Sequence, residues 1–83
     1  MFPFFTEEDM TLDQLPVQQY AIITSVYPDT ILYRRLLEMG FVKHTKIMVL
    51  KKAMTQDPIQ VELRGYVLTL RKTEASQIEV IAL

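Results

Sequence analysis

The spacing of apolar residues changes once along the chain, from a helical repeat to a strand-like repeat. Leu32, Leu36 and Met39 recur at i, i+4 and i+7, which predicts a helix near residues 30–39 with one buried side. Gly40 follows directly and suits the left-handed conformation that ends many helices. Beyond this glycine the apolar positions alternate with polar ones, which indicates strands. We therefore expect a β-rich domain with one substantial helix.

Five short strands are predicted from segments rich in β-branched, aromatic and alternating apolar residues. They are centred on residues 20–26, 46–50, 59–63, 66–70 and 78–80. A sheet of such short strands avoids long exposed edges by closing on itself, with the last strand beside the first. The expected fold is therefore a mainly β, small barrel with one inserted α-helix.

Helix-capping residues mark where three helical segments begin. Thr11 and Gln14 have the spacing of a capping box, which predicts a short helical turn near the start of the domain. Asp29 or Thr30 can cap the main helix, and Thr73 can cap a single turn before the last strand.

Composition limits the possible functions. The 83-residue chain supports one domain, placed at residues 11–83 after a tail of residues 1–10. Nine basic residues nearly balance ten acidic ones, which argues against the basic surface typical of nucleic-acid binding. No apolar run approaches the roughly 20 residues of a membrane span, and the first residues do not resemble a signal peptide. We expect a cytoplasmic protein without membrane insertion.

No group of residues has the pattern of a catalytic or metal site. His44, the sole histidine, lies in a turn after the helix and lacks the partners that a triad or a metal centre requires. Cysteine is absent, and the acidic run of residues 7–9 is interpreted as solvated. With glycine only at positions 40 and 65, a phosphate-binding glycine loop is excluded. We expect no catalytic residue, cofactor or metal, and hence no enzyme.

Three features are candidates for contacts with other proteins. Arg34 and Arg35 lie on the outer side of the predicted helix, where Arg34 can also pair with Glu38. Met54 lies in a polar loop and has no apolar partner at strand spacing. An aromatic tail is expected to be buried against the domain or against a second copy, which would make it a site of self-association. The tail residues are Phe2, Phe4 and Phe5.

The order of these features resembles the FeoA family, small cytoplasmic companions of bacterial ferrous iron transporters. The likeness covers roughly residues 11–82 and rests on a leading leucine pair, an arginine–leucine helix ending in glycine, an Asp-Pro before a strand, and a Leu-x-Leu-Arg strand. These features are Leu12 and Leu15, Arg35-Leu36 through Gly40, Asp57-Pro58, and Leu68-Thr69-Leu70-Arg71. Where the family commonly carries glycine, this chain has Gln18 or Gln19, His44 and Gln56.

The resemblance implies an SH3-like barrel whose function is binding. Members of the family are thought to engage FeoB, a membrane transporter with a cytosolic GTP-binding domain. We therefore expect a non-enzymatic accessory protein that binds the cytosolic part of a FeoB-type transporter through Arg34, Arg35 and the loop around Met54. Two alternatives remain open: a metal-responsive regulatory module related to the SH3-like domain of iron-dependent repressors, and a barrel that binds proline-rich peptides.

Overall fold

The structure, a computed structural model, describes residues 9–28 and 31–83. Within these residues the chain forms six strands, one main helix and two single helical turns. The strands are β1 (Met10–Thr11), β2 (Tyr20–Val26), β3 (Lys46–Lys52), β4 (Ile59–Leu63), β5 (Tyr66–Leu70) and β6 (Ile78–Ala82). The helical elements are a 3₁₀ turn (Leu12–Gln14), α1 (Leu32–Glu38) and α2 (Lys72–Ala75).

All six strands belong to one antiparallel sheet with the order β1-β6-β2-β3-β4-β5. The expected pairing of the last strand with the first long one is confirmed, since Val80 of β6 lies opposite Ile23 of β2. The prediction of five strands was wrong, because Met10 and Thr11 form a short extra strand on the other side of β6. Within the described residues β1 and β5 do not pair, so the sheet is open and the expected closed barrel is not confirmed.

The core lies on the inner side of the sheet, which is covered by α1, the 3₁₀ turn and α2, since Leu36, Leu12 and Ala75 of these elements are all buried. Ile47 and Val49 of β3 are buried, whereas Met48 between them is only partly buried. On the helix, Leu36 is fully enclosed, and Leu32 and Met39 pack partly against the core as the apolar spacing predicts. Burying such side chains supplies most of the stability of a domain this small.

Gly40 follows α1 as predicted, whereas the caps predicted for the start of the helix cannot be checked. Gly40 has φ of 107°, which confirms the predicted positive φ after the helix. The proposed caps Asp29 and Thr30 lie outside the described residues, and Ile31 directly precedes the helix. After the C-terminal end of the helix, Phe41 is fully buried, and its backbone N–H donates a hydrogen bond to the carbonyl of Leu36 at 3.1 Å.

The helical turn α2 starts earlier than predicted. Thr73 was expected as its cap, but Arg71 occupies that position. The side chain of Glu74 accepts a hydrogen bond from the backbone N–H of Arg71 at 2.9 Å, and this contact fixes the start of the turn. The same arrangement occurs at the 3₁₀ turn, where the backbone N–H of Thr11 donates to Gln14 Oε1 at 3.1 Å, as the capping-box spacing predicts.

Three loops adopt a left-handed conformation without glycine. The φ angles are 68° at Gln18, 72° at His44 and 71° at Gln56. These are the positions at which the family resemblance implies glycine, with Gln18 rather than Gln19 as the first. The loops therefore keep a glycine-type backbone shape while carrying larger side chains, at a cost in strain.

Candidate protein-interaction surface

The outer side of α1 presents an apolar residue next to two arginines. Ile31, Arg34, Arg35 and Glu38 follow helical spacing on the side opposite the buried Leu36, and all four are exposed. Ile31 is 97% exposed. Sequence reasoning missed Ile31, although its apolar character outside the Leu36 stripe was an available signal.

Arg35 connects α1 to α2. Its Nη2 atom lies 3.7 Å from Oε2 of Glu74, and its side chain remains 64% exposed. The expected pair of Arg34 with Glu38 was wrong: within the described residues, no carboxylate lies within salt-bridge distance of Arg34. Among the described residues, therefore, Arg34 has no ion-pair partner, while Arg35 forms an exposed ion pair of the kind that contributes little to stability.

Met54 lies in the loop between β3 and β4 and is 100% exposed. Asp57 ties this loop to α2, because its Oδ1 atom accepts a hydrogen bond from the backbone N–H of Lys72 at 3.0 Å. Since Glu74 of the same turn pairs with Arg35, successive contacts join the loop, α2 and α1. The structure thus links the two predicted contact regions, Arg34 with Arg35 and Met54, through a single helical turn.

A groove of about 420 Å³ adjoins the Met54 loop. One row of residues across β3, β4 and β5 borders this groove. The row consists of Lys51, Gln60 and Thr69. Lys52 also lines the groove, but its ammonium group donates to the carbonyl of Asp13 at 3.1 Å and so has a structural contact. The groove therefore combines an exposed lysine, Lys51, with apolar atoms of the loop.

A polar pair connects Tyr27, the residue after β2, to Glu79 of β6. The hydroxyl of Tyr27 donates to Oε2 of Glu79 at 3.1 Å. This hydrogen bond and the negative charge of Glu79 raise the pKa of the Tyr27 phenol. Tyr27 is 38% exposed, so the pair is a surface contact and has no enclosed setting for acid–base chemistry.

The aromatic tail, a metal site, His44 and a membrane span were the other features considered from the sequence. Phe2, Phe4 and Phe5 lie outside the described residues. Across residues 9–28 and 31–83, no three His, Asp or Glu side chains converge as metal ligands would. His44 is exposed, and its backbone N–H donates to the carbonyl of Ile23 at 2.8 Å. None of the helices that the structure describes has the length and apolar character needed to cross a membrane.

Residues 10–82 match the family model of the FeoA domain. The chain belongs to the FeoA family. One relative is the Fe(2+) transport protein A/Fe(2+) transporter FeoB fusion protein of Porphyromonas gingivalis, which is 35% identical over 86% of this chain. This match spans only 8% of the fusion protein. A second is the putative Fe(2+) transport protein A of Campylobacter jejuni, 37% identical over 86% of this chain and 96% of the relative. The family is thus linked to ferrous iron transport.

Solved structures show the same fold. The FeoA-like protein of Clostridium acetobutylicum superimposes with a TM-score of 0.86 at 34% identity, covering 95% of this chain and 91% of that one. FeoA of Stenotrophomonas maltophilia complexed with zinc, described as a prokaryotic SH3 domain protein, gives 0.77 at 32% identity over 86% and 88%. A manganese-dependent transcriptional repressor gives 0.83 at 16% identity over 94% of this chain and 44% of the repressor, which shows a shared fold alone. The FeoA-family chain is therefore SH3-like.

Proposed function

We propose that this FeoA-family chain is a non-enzymatic accessory protein of ferrous iron transport that binds the cytosolic part of a FeoB-type transporter. The observation that carries the proposal is the Porphyromonas gingivalis fusion protein, in which a region 35% identical to this chain and FeoB form one polypeptide. Covalent linkage keeps two modules at a high effective concentration. A separate chain needs a binding surface to reach the same proximity, and acts on the cytoplasmic side of the membrane.

The surface that we assign to this contact consists of Ile31, Arg34, Arg35 and Met54, and is called the helix–loop surface. Its two apolar members are almost fully exposed, at 97% for Ile31 and 100% for Met54. Such side chains gain most when a partner buries them, so they suit the role of anchors. The arginines add positive charge beside the first anchor, and charge of this kind mainly accelerates and orients encounter.

The expected partner surface is acidic with apolar pockets. Arg34 forms no ion pair with a carboxylate in the described part of the chain. A carboxylate of the partner would therefore not have to displace one of the described residues to bind Arg34. Arg35 is partly engaged with Glu74 but is 64% exposed, so its guanidinium group can still donate to a second carboxylate. Because the exposed charges are screened by salt, binding should weaken as ionic strength rises.

The experiment is a double charge reversal on the helix. Arg34→Glu with Arg35→Glu should reduce co-purification with the transporter while the protein stays folded. Lys46→Glu with Arg64→Glu changes the net charge equally, but on strand β3 and the β4–β5 turn, and should leave co-purification near the wild-type level. Equal losses in both variants would show that only net charge matters. Wild-type co-purification by the helix variant would remove the helix–loop surface from the proposal.

Metal titration tests the alternative of a metal-responsive regulatory module. The observation that favours this alternative is the structure of the Stenotrophomonas maltophilia relative complexed with zinc. This chain offers no converging set of three His, Asp or Glu side chains in its described residues. Calorimetric titration of the untagged protein with Fe²⁺ or Zn²⁺ should therefore show no stoichiometric event of sub-micromolar affinity. If such an event occurs and the wild type fails to bind the transporter, the metal-responsive module becomes the better function.

A further inference from the structure

Strand β5 has one unoccupied edge. It pairs with β4 on one side, and the described residues place no strand on the other. The strand, Tyr66–Leu70, contains no charged residue, and the side chains of Tyr66 and Val67 are 63% and 55% exposed. The free backbone groups of such an edge can pair with another strand, which is why proteins generally cover or charge their sheet edges.

The hairpin turn determines which backbone groups of β5 face outward. Arg64 and Gly65, the two turn residues, have φ of 53° and 82°, the pattern of a type I′ turn. The residues that flank such a turn form a hydrogen-bonded pair, and bonded and non-bonded pairs then alternate along the ladder. Counted from the turn, Leu68 bonds to β4, whereas the backbone N–H and C=O groups of Val67 and Thr69 face the open edge. These two residues therefore offer donors and acceptors to an added strand.

The side chains of β5 favour an added strand with an apolar, β-branched centre. Leu68 lies opposite the buried Val61 and so faces the inner side of the sheet, where it is only partly buried. Val67 and Thr69 therefore point to the outer side, and both are exposed. Pairs of β-branched residues across neighbouring strands are stabilising, and a strand beside Leu68 would remove more of its apolar surface from water.

Basic side chains stand at both ends of this edge. Arg64 precedes the strand, Arg71 and Lys72 follow it, and all three are exposed. Within the described residues none of them forms an ion pair. Carboxylates at both ends of an added strand would therefore meet positive charge in either strand direction, and such complementarity guides the choice of partner.

A second copy of β5 matches this edge poorly. In the antiparallel register that pairs the whole strand with its copy, Tyr66 lies opposite Leu70 of the other copy. The same register places Arg64 of each copy opposite Lys72 of the other, and like charges directly opposite each other are destabilising. The charge pattern therefore favours a different strand.

We propose that the open edge of β5 binds an extended segment of a partner protein by strand addition, and that this segment has a β-branched, apolar centre flanked by carboxylates. In this mode of recognition, backbone hydrogen bonds supply affinity and alternate side chains supply specificity. The edge shares no residue with the helix–loop surface, so the inference does not depend on the proposed transporter contact.

A synthetic peptide tests the proposal. The probe is acetyl-DEVTVTVED-amide, whose aspartates lie opposite Arg64 and Lys72 when its centre lies opposite Leu68. On titration into the isotope-labelled full-length chain, the amides of Val67 and Thr69 should shift and become protected from hydrogen exchange, with a Kd below about 1 mM. The Leu68 amide bonds to β4 and should stay protected with and without the peptide, which verifies that the domain remains folded.

Two substitutions at Thr69 separate its backbone from its side chain. Thr69→Pro removes the outward N–H without removing a bond to β4, and proline is accepted in an edge strand at such a position. Thr69→Val keeps both the N–H and the β-branched shape. Peptide binding should weaken about tenfold or more in Thr69→Pro, because a ladder hydrogen bond is lost and the ring crowds the edge. Thr69→Val should bind the peptide as the wild type does.

Two altered peptides serve as controls for the probe. N-methylation of its central amides removes the donors and should abolish binding. Replacement of its acidic residues by lysine places like charges against Arg64 and Lys72 and should weaken binding, most clearly at low salt.

Several results would overturn the proposal. They include no saturable change at Val67 and Thr69, and equal binding by the N-methylated peptide or by the Thr69→Pro protein. Protection of both amides without peptide would also contradict it. If that protection rises with protein concentration, a second copy occupies the edge; if it is independent of concentration, another part of the same chain does. Because no transporter is present, the outcome is separate from that of the charge-reversal test.

Discussion

Gln18 bonds to strand β3 through both its backbone and its side chain. Its backbone N–H donates to the carbonyl of Val49 at 2.7 Å, and its Nε2 atom donates to the carbonyl of Leu50 at 3.0 Å. His44 has a similar left-handed φ, 72° against 68° at Gln18, but within the described residues its only hydrogen bond comes from its backbone. Two strained loop residues thus differ in what their side chains contribute.

This difference predicts unequal effects of glycine. His44→Gly should raise the free energy of unfolding by about 0.5 to 1 kcal/mol, because relief of about 1 to 2 kcal/mol of left-handed strain exceeds the added flexibility of the unfolded chain. Gln18→Gly should gain less, since it also loses the bond to Leu50. Urea denaturation of the two variants and the wild type provides the measurement; equal gains would mean that the Gln18 side chain adds nothing.

Gly40 and Gly65 should respond differently to a larger side chain. A Cβ at Gly40 would lie 3.6 Å from Cδ1 of Leu63, whereas a Cβ at Gly65 would meet nothing within 4 Å. Both residues have positive φ, 107° and 82°, so either valine substitution should cost roughly 1 to 3 kcal/mol. Gly40→Val should cost more, because the two outer methyl groups of valine would crowd the core next to Leu63. Thermal unfolding that ranks Gly65→Val as equally or more destabilised would contradict this.

Ile31 and Met54 should matter for binding and little for stability. Ile31→Asp and Met54→Asp should each reduce co-purification with a FeoB-type transporter, because each places a charge where the partner is expected to bury an apolar side chain. Their free energies of unfolding should stay within about 0.5 kcal/mol of the wild type, since both side chains are almost fully exposed. Val17→Asp, at a position 45% exposed and outside the helix–loop surface, is the matched control and should bind normally.

The Tyr27–Glu79 pair predicts a change in titration at alkaline pH. Glu79→Gln should lower the pKa of Tyr27 towards its ordinary value, since the acceptor charge that holds the phenol proton is removed. In the wild type the contact favours the neutral phenol, so its small contribution to stability is present below the ordinary tyrosine pKa and is lost as pH rises through the raised value. The difference in tyrosinate absorbance between wild type and variant measures the shift, and Glu62→Gln should show none.

Local patterns predicted those parts of the fold that depend on neighbouring residues. The stripe of Leu32 and Leu36 identified α1, and Gly40 identified its end, because helix periodicity and positive φ are properties of short segments. The strand at Met10 was missed, since two residues carry no periodicity and their pairing with β6 arises from distant sequence. The Arg35–Glu74 contact was missed for the same reason.

The candidate site was predicted only in part. Exposure of Met54 could be inferred from the polar loop around it, and the structure shows that side chain fully exposed. The role of Ile31 depends on which side of the helix faces the sheet, and Arg34 was assigned to Glu38 because i, i+4 spacing was the available rule. Whether the sheet closes depends on the distance between two edge strands, which alternation within each strand does not specify.

The bond between Asp57 and Lys72 also determines where sequence variation is tolerated. Because Asp57 contacts the backbone N–H of Lys72 and not its side chain, position 72 can carry any residue except proline without losing the contact. Position 57 has no such freedom, since the acceptor is a side-chain oxygen of suitable length. Residues at the tip of the loop, including Met54, can therefore change to match a different partner while the loop stays attached to the domain.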